Sequence, residues 1–371
     1  MIHYPVLVPD LPKKEQLIPW LAKIDSNRWY TNFGPLVQEF ELKLARLLSV
    51  NTDFLVTVSS GTAALELALL AYDLPKNSCV LVPSFSFPAT ATSIKRAGLC
   101  PIFTDVDPDT WTLTPEIAYK VLEKSPYSMI LPVAAIGCPL PIEAWDKFNR
   151  DTDIPVLIDA AAAFGSQSIG SRCSIAYSFH GTKAFGIGEG GLVVAHSEDF
   201  IKKIKQLSNF GFDLGVIARC GCNAKMSEYH AAVGLAQYDR WGGIVKQRQS
   251  LLQMYKHLLK KTGINIRFQQ TPENYIPALM PILIPVSNSL SAVVDYLADQ
   301  GIQTRCWYSP PLHKHPAFAG DKIITLEGKT YLTVTENLSN YLLGLPFHSL
   351  LQEKDIIYIC ETLSTSLNGK K

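Results

Sequence analysis

SFHGTKAFGIGEGG, residues 178–191, decides how the rest of this 371-residue chain is read. It carries one lysine, Lys183, with no acidic neighbour in sequence and small or apolar residues on its C-terminal side. The apolar run 175–179 leads in, and a second, 192–195, leads out. That pattern predicts a strand, a glycine-rich loop carrying a lysine, and another strand. A lysine held among apolar and glycine residues sheds its proton more readily, because desolvation disfavours the ammonium. The neutral amine is then a nucleophile toward an aldehyde. Most loop lysines are simply solvated, so Lys183 gains its weight from what lies upstream.

Two competing motifs fall away. Gly186, Gly188 and Gly191 spell GxGxxG, but a dinucleotide site needs a helix opening after the glycines, and strand-like LVVAH follows here. Asp105, Asp107, Asp109 and Glu116 stand at calcium-loop spacing, but the sharp-turn glycine is Thr110, and Pro108 and Pro115 interrupt the loop. An acidic turn after a strand accounts for them.

From Phe54 onward, strand-like runs at 54–58, 79–82, 99–104, 128–133 and 156–158 alternate with helical runs at 61–71, 88–97, 114–123 and 142–150. This predicts an α/β fold with a mostly parallel sheet covered on both faces. Ligands of such sheets bind beyond the carboxyl ends of the strands. A long helix over 226–261, with Gly242-Gly243 as a point to break it, leads to a smaller α/β unit. Its expected elements are strands at 264–268, 279–286 and 302–307 and helices at 291–300 and 352–366. The chain is divided on this basis into a large domain, 1–245, and a small C-terminal domain, 246–371.

Composition narrows the class. With 47% hydrophobic and 18% charged residues the chain is globular rather than disordered. The net charge of +1, evenly spread, recommends neither a nucleic-acid nor an anionic-membrane partner. The terminal GKK is read as a frayed tail rather than a binding arm. Eight cysteines are scattered without a CxxC pair, and Cys220-Gly-Cys222 lacks the second pair a zinc site needs. They are read as free thiols of a reducing compartment, with no metal. The start, MIHYPVLVPDLPKKEQ, is not a signal peptide, and no apolar stretch reaches membrane-spanning length, so a cytoplasmic protein is expected.

Several upstream positions carry chemistry. Ser59-Ser60-Gly61-Thr62 joins a strand to a helix, where free N–H groups and hydroxyls suit a phosphate monoester; plain N-capping explains the same residues. Asp159 ends the VLID strand, and a carboxylate in an apolar setting needs a cationic partner such as a protonated pyridine nitrogen. Phe85 and Phe87 follow another strand end and offer an aromatic face, Phe85 reading better as core. A phosphate cradle, an aromatic plate, a carboxylate and a lysine, all at strand ends, are the equipment for pyridoxal 5'-phosphate (PLP).

At this point the chain resembles the sugar-nucleotide aminotransferases of the DegT/StrS type, fold-type I PLP enzymes. The resemblance rests on TNFGPLVQEFE (31–41), SSGTAALELAL (59–69), VPSFSFPATATSIKRAG (82–98), PIFTDVDPDTWTL (101–113), IDAAAAFG (158–165) and the lysine loop. It continues through GCNAKMSEYHAAVGLAQ (221–237) and the YSPPLH and LPFH segments near 308 and 345. It implies Lys183 as the Schiff-base lysine, Asp159 as the partner of the pyridine nitrogen and Phe87 as the stacking aromatic. Gly61, Thr62 and Ser178 match phosphate ligands. Asn223 matches a residue that reaches the phosphate of the neighbouring subunit, which implies a homodimer with composite sites. His313 matches a segment lining the sugar site, while His180 is read as a structural histidine of a packed loop. Two departures stand out. Ala162 replaces the usual Gln or His three residues after the aspartate, and Lys225 replaces an arginine, keeping charge but losing the bidentate fork.

The resemblance further implies transfer of an amino group from L-glutamate to a nucleotide-linked keto sugar. The DAAAAFG spelling at 159–165 looks closest to dTDP-4-amino-4,6-dideoxyglucose-forming members, so C4 of dTDP-4-keto-6-deoxy-D-glucose is the expected acceptor. Such amino sugars serve surface polysaccharides such as lipopolysaccharide O-antigen. Alternatives are a 3-keto sugar nucleotide aminotransferase, or a non-catalytic regulatory paralogue of the same fold. A sugar dehydratase would carry His where Lys183 stands. An amino-acid transaminase is disfavoured by the motif spellings.

Overall fold

The structure, a computed structural model, describes residues 2–326 and 328–369, so Lys370 and Lys371 of the expected tail lie outside the described residues. Helices α1 (Lys14–Asn27) and α2 (Pro35–Leu48) precede β1 (Leu55–Val58), α3 (Gly61–Ala71), β2 (Cys79–Pro83), α4 (Pro88–Arg96), β3 (Cys100–Thr104), α5 (Pro115–Lys124) and β4 (Met129–Ile130). Then come α6 (Ile142–Thr152), β5 (Leu157–Asp159), β6 (Ser174–Ser178), β7 (Gly191–Val194) and α7 (Glu198–Ser208). A hairpin of β8 (Phe212–Asp213) and β9 (Val216–Ile217) leads to α8 (Glu228–Lys261). The remainder is β10 (Met280–Leu283), α9 (Leu290–Asp299), β11 (Lys322–Ile324), α10 (Thr333–Tyr341), β12 (Leu342–Leu345) and α11 (Glu353–Leu367).

The strands pair in the orders β11-β3-β2-β4 and β1-β7-β6-β5. Parallel bridges Ile130↔Val156 and Val133↔Asp159 lay β4 beside β5, so the two halves form one surface. All its neighbours run parallel except β7, which is antiparallel to both β1 and β6. The alternation upstream of residue 160 therefore does what its spacing predicts: the carboxyl ends of β1, β2, β5 and β6 share one edge. Because β7 runs the other way, its first residue, Gly191, starts at that edge. A Cβ there would come within 2.2 Å of the Ser60 carbonyl, so only glycine lets β7 begin beside the β1–α3 turn.

Motifs far apart in sequence meet outside the sheet. Glu228, fully buried at the start of α8, accepts from the N–H groups of Leu36 (2.8 Å) and Val37 (2.9 Å). It thereby satisfies the open N-terminus of α2, where Pro35 has no N–H to offer. A Cβ on Gly34 would meet the Glu228 carboxyl carbon at 2.7 Å, which explains the Gly-Pro pair in the 31–41 stretch.

Helix α8 runs unbroken through Gly242-Gly243, where the expected break does not occur: a Cβ at either position would touch nothing within 4 Å, and helix continues on both sides. Its C-terminal half carries a second core of Leu251, Leu252, Tyr255 and Leu259 against β10, β12, α9 and α11. The expected strands at 264–268 and 302–307 shrink to isolated bridges. The second divides its backbone bonds, Gln303 N–H donating to Tyr4 (2.9 Å) and Arg305 N–H to Gly344 (3.1 Å), so no continuous ladder forms. Leu312, Phe318 and Leu332 pack into the core of the large sheet, and β11 pairs parallel with β3. No described helix is long and apolar enough to cross a membrane.

Candidate active site

A cavity of about 500 Å³ opens at the strand edge. Its floor is Asp159 at the end of β5, Ser178 at the end of β6 and Lys183 in the following loop. That loop is folded back on itself: Gly181 N–H donates to Gly188 (2.8 Å), Ile187 N–H to Phe179 (2.8 Å), and Lys183 N–H to His180 (2.8 Å). A Cβ on Gly186 would sit 2.5 Å from the Gly181 carbonyl, and Gly188 takes φ +98°, so both glycines are required by the turn. Phe179 and Phe185 are fully buried beneath it, with Phe185 4.9 Å from Phe164 and 5.2 Å from Trp241 between ring centroids. The aromatic layer pins the loop and leaves Lys183 facing the cavity.

Asp159 is 5% exposed and is held at both oxygens. Oδ2 accepts from the Thr90 hydroxyl at 2.7 Å, and Oδ1 from the Ala161 N–H at 3.0 Å. Ser86 lies 2.7 Å behind Thr90, hydroxyl to hydroxyl. Burial pushes the carboxyl of Asp159 up, opposed by these hydrogen bonds and by the charge of Lys183. Burial pushes the ammonium of Lys183 down, opposed by the carboxylate of Asp159. Each group tempers the desolvation of the other, and burial favours the neutral amine of Lys183 relative to an ordinary lysine.

The turn from β1 into α3 opens onto the cavity. Ser60 caps α3 through its hydroxyl, which accepts from Ala63 N–H at 3.1 Å, and Gly61 and Thr62 line the cavity at the helix start. Gly61 lies so close to β6 that a Cβ would reach the Ser178 Cβ at 2.5 Å. Phe87 precedes Pro88, which holds it extended (φ −73°, ψ 147°), and its half-exposed ring lines the cavity. Phe85 is buried and meets the Tyr308 ring edge-on at 4.9 Å.

Other expected residues lie elsewhere. His313 is turned away from the cavity: Nδ1 is 2.6 Å from the Ser84 hydroxyl and Nε2 3.4 Å from Glu336. Burial lowers its pKa despite that carboxylate. Asn223 is exposed and outside the lining; its Oδ1 accepts from Lys225 Nζ at 2.9 Å. Lys225 also donates to Asn209 Oδ1 at 2.8 Å, so its ammonium is engaged locally. His180 departs from its expected packed setting: it is exposed and lines the cavity, with Nδ1 2.9 Å from the Thr182 hydroxyl. Ala162 lines the cavity with a methyl group only. Sequence reasoning missed Thr90, and of the wall formed by Ala278, Leu279, Arg305, Trp307 and Tyr308 it marked only the loop that begins at Trp307 and runs into YSPPLH. Among the described residues no cluster could hold a metal ion. In the rejected calcium loop, Asp107 instead caps its own turn (Thr110 N–H, 2.8 Å), and Asp105 caps α10 (Thr335 N–H, 2.7 Å).

Comparison with known proteins agrees with this architecture. A dTDP-4-amino-4,6-dideoxy-D-glucose transaminase of Shigella dysenteriae is 32% identical over 377 residues, covering 96% of this chain and 97% of that one. A UDP-2-acetamido-2-deoxy-3-oxo-D-glucuronate aminotransferase of Pseudomonas aeruginosa is 28% identical, covering 89% and 90%. The crystal structure of DesI with its TDP-sugar product superposes with a TM-score of 0.87 at 29% identity, over 99% of this chain and 94% of that one. The family model for the DegT/DnrJ/EryC1/StrS aminotransferases matches residues 13–364, and the chain belongs to that family of PLP-dependent sugar aminotransferases.

Proposed function

We propose that the protein transfers an amino group from L-glutamate to C4 of dTDP-4-keto-6-deoxy-D-glucose, with Lys183 and Asp159 as its catalytic pair. The observation that carries this reading is the burial of an amine and a carboxylate in one cavity beside an open helix N-terminus. The residues present fit PLP: Gly61, Thr62 and Ser178 can receive a phosphate at the start of α3, where N–H groups and the helix dipole favour an anion. Phe87 offers a ring face, and buried Asp159 lacks a cation other than Lys183 to match a protonated pyridine.

When bound, the cofactor supplies an aldehyde for amines and an electron sink for the carbon that loses its proton. Lys183, its ammonium disfavoured by burial, provides the amine that holds the cofactor and the base that takes the proton from the donor's α-carbon. Thr90 and Ala161 favour the anionic form of Asp159 against its burial, and as the anion it would hold a proton on the pyridine nitrogen. Ala162 leaves the neighbouring edge without a hydrogen-bonding side chain.

The C4 assignment is supported by the Shigella relative and by a second transaminase of the same name from Escherichia coli, 30% identical. The Pseudomonas relative, a 3-oxo sugar enzyme by name, keeps the 3-keto alternative alive. A homodimer is proposed as well, with Asn223 serving the partner's phosphate site. Its support is the exposed apolar hairpin beside it, where Leu214 is 100%, Ile217 66% and Val216 64% exposed. We further assign the division 1–245 and 246–371, and a cytoplasmic setting.

The test is to give purified protein glutamate and a panel of keto-sugar nucleotides and to identify products by mass and NMR. Amination of dTDP-4-keto-6-deoxyglucose at C4 is expected. Turnover of only the 3-keto isomer overturns the C4 assignment and leaves the aminotransferase intact.

A further inference from the structure

The proposed chemistry leaves one charged group of the cavity unused. Among the described residues, Arg305 and Lys183 are the only Lys or Arg that line it. The guanidinium of Arg305 lies 4.6 Å over the ring of Trp307, which also lines the cavity. The backbone beneath is tied to β12 in both directions, Arg305 N–H to Gly344 at 3.1 Å and Gly344 N–H to Arg305 at 2.7 Å. Trp307 packs closely on the same glycine, where a Cβ would come 2.4 Å from its Nε1. Arg305 is exposed, and stacking on Trp307 over a fixed backbone orients its fork.

The fork has no anion of its own. Among the described residues no carboxylate pairs with Arg305, as none does with several surface arginines, but Arg305 alone of these lines the cavity. The cavity also contains two carboxylates, Asp159 and Glu189, which repel an incoming acid. Lys183 cannot answer for both, because burial disfavours its charged form.

We propose that Arg305 binds a carboxylate of the amino donor and sets the preference for a dicarboxylic amino acid. This rests on the aminotransferase reading above. Placement favours a donor carboxylate over the diphosphate of the sugar nucleotide: Arg305 lines the same cavity as Lys183, so a donor whose amine reaches the lysine can set a carboxylate on the guanidinium. A flat guanidinium offering parallel N–H donors also matches a carboxylate two-to-two.

The test is calorimetric titration of PLP-loaded protein with two probes that undergo no turnover, glutarate and dTDP. Arg305→Ala is expected to weaken glutarate by tenfold or more, roughly what loss of one charge-assisted pair costs. Arg305→Lys should recover part of it, and dTDP affinity and bound PLP should stay at wild-type levels. In the glutamate half-reaction the half-saturating concentration should rise by the same factor. Unchanged glutarate binding overturns the proposal. So does weakened dTDP with glutarate intact, which would hand the fork to the sugar nucleotide. An equal loss of both probes overturns it too, reducing Arg305 to a support of the wall. Wild-type protein that binds glutarate but takes no amino group from glutamate breaks the functional reading and spares the binding assignment.

Discussion

The floor of the cavity and the rim at residues 209–225 are built in opposite ways. On the floor, the β-strand ends bring Asp159, Thr90 and Lys183 together, buried, hydrogen-bonded and backed by an aromatic layer. At the rim, Asn209, Asn223 and Lys225 bond to one another under an apolar hairpin that faces solvent. A floor complete within one chain needs no partner to be preorganised. A rim whose polar side chains bond to each other, and whose apolar side chains stand largely in solvent, fits the proposed interface. The difference teaches that the buried pair is organised by one chain alone, whereas the proposed role of Asn223 needs a second copy.

Breaking the floor should have the largest effect. Lys183→Ala should lower turnover by more than about four orders of magnitude, since it removes nucleophile and base together. It should also leave no cofactor adduct after borohydride reduction, as read by mass spectrometry. The fold should persist, because the lysine is held by its loop and not the reverse. A surviving reducible adduct would move the role to another lysine.

Asp159→Asn comes next. Bound cofactor should remain, with the glutamate half-reaction slowed by about two orders of magnitude or more, because a neutral amide cannot keep the pyridine nitrogen protonated. The pH dependence sharpens the point. The carboxylate of Asp159 favours the charged form of Lys183 and so holds its pKa up against burial. Removing that charge lets the pKa fall further, and capture of aldehyde by the apoprotein should persist to lower pH than in wild type. A midpoint that stays put or moves to higher pH counts against the pairing.

The smallest effect is expected at the rim. Leu214→Asp should change unfolding free energy by less than about 0.5 kcal/mol, because the side chain is 100% exposed in one chain. Sedimentation should nevertheless show a weaker dimer, with PLP lost faster on dilution. If assembly and cofactor retention are both unmoved, the hairpin is not the contact, and the contrast between floor and rim loses its meaning.

How much was legible beforehand follows the same divide. The β/α alternation and the lysine loop were readable because strands and helices have short periods and glycine turns have local rules. Helices α1, α2, α7 and α10 went unread, and the strands expected at 264–268 and 302–307 were overcalled. Apolar runs there satisfy their backbone through scattered partners, such as Tyr4 and Gly344, that lie far away in sequence. His313 shows the limit for side chains: its segment carries a family motif, yet Ser84 and Glu336 decide which way the ring turns.

By itself, then, the sequence determined the sheet, its strand-end edge, the phosphate-type turn at 59–62 and the pair Lys183 and Asp159. Those depend on residues whose neighbours in space are set by one strand or one turn. Only the tertiary structure decided what faces them. The wall of Ala278, Arg305, Trp307 and Tyr308 arrives from more than a hundred residues downstream of Asp159. Its position is set by how α8, β10 and β12 pack, a cooperative outcome of burial that no local pattern encodes.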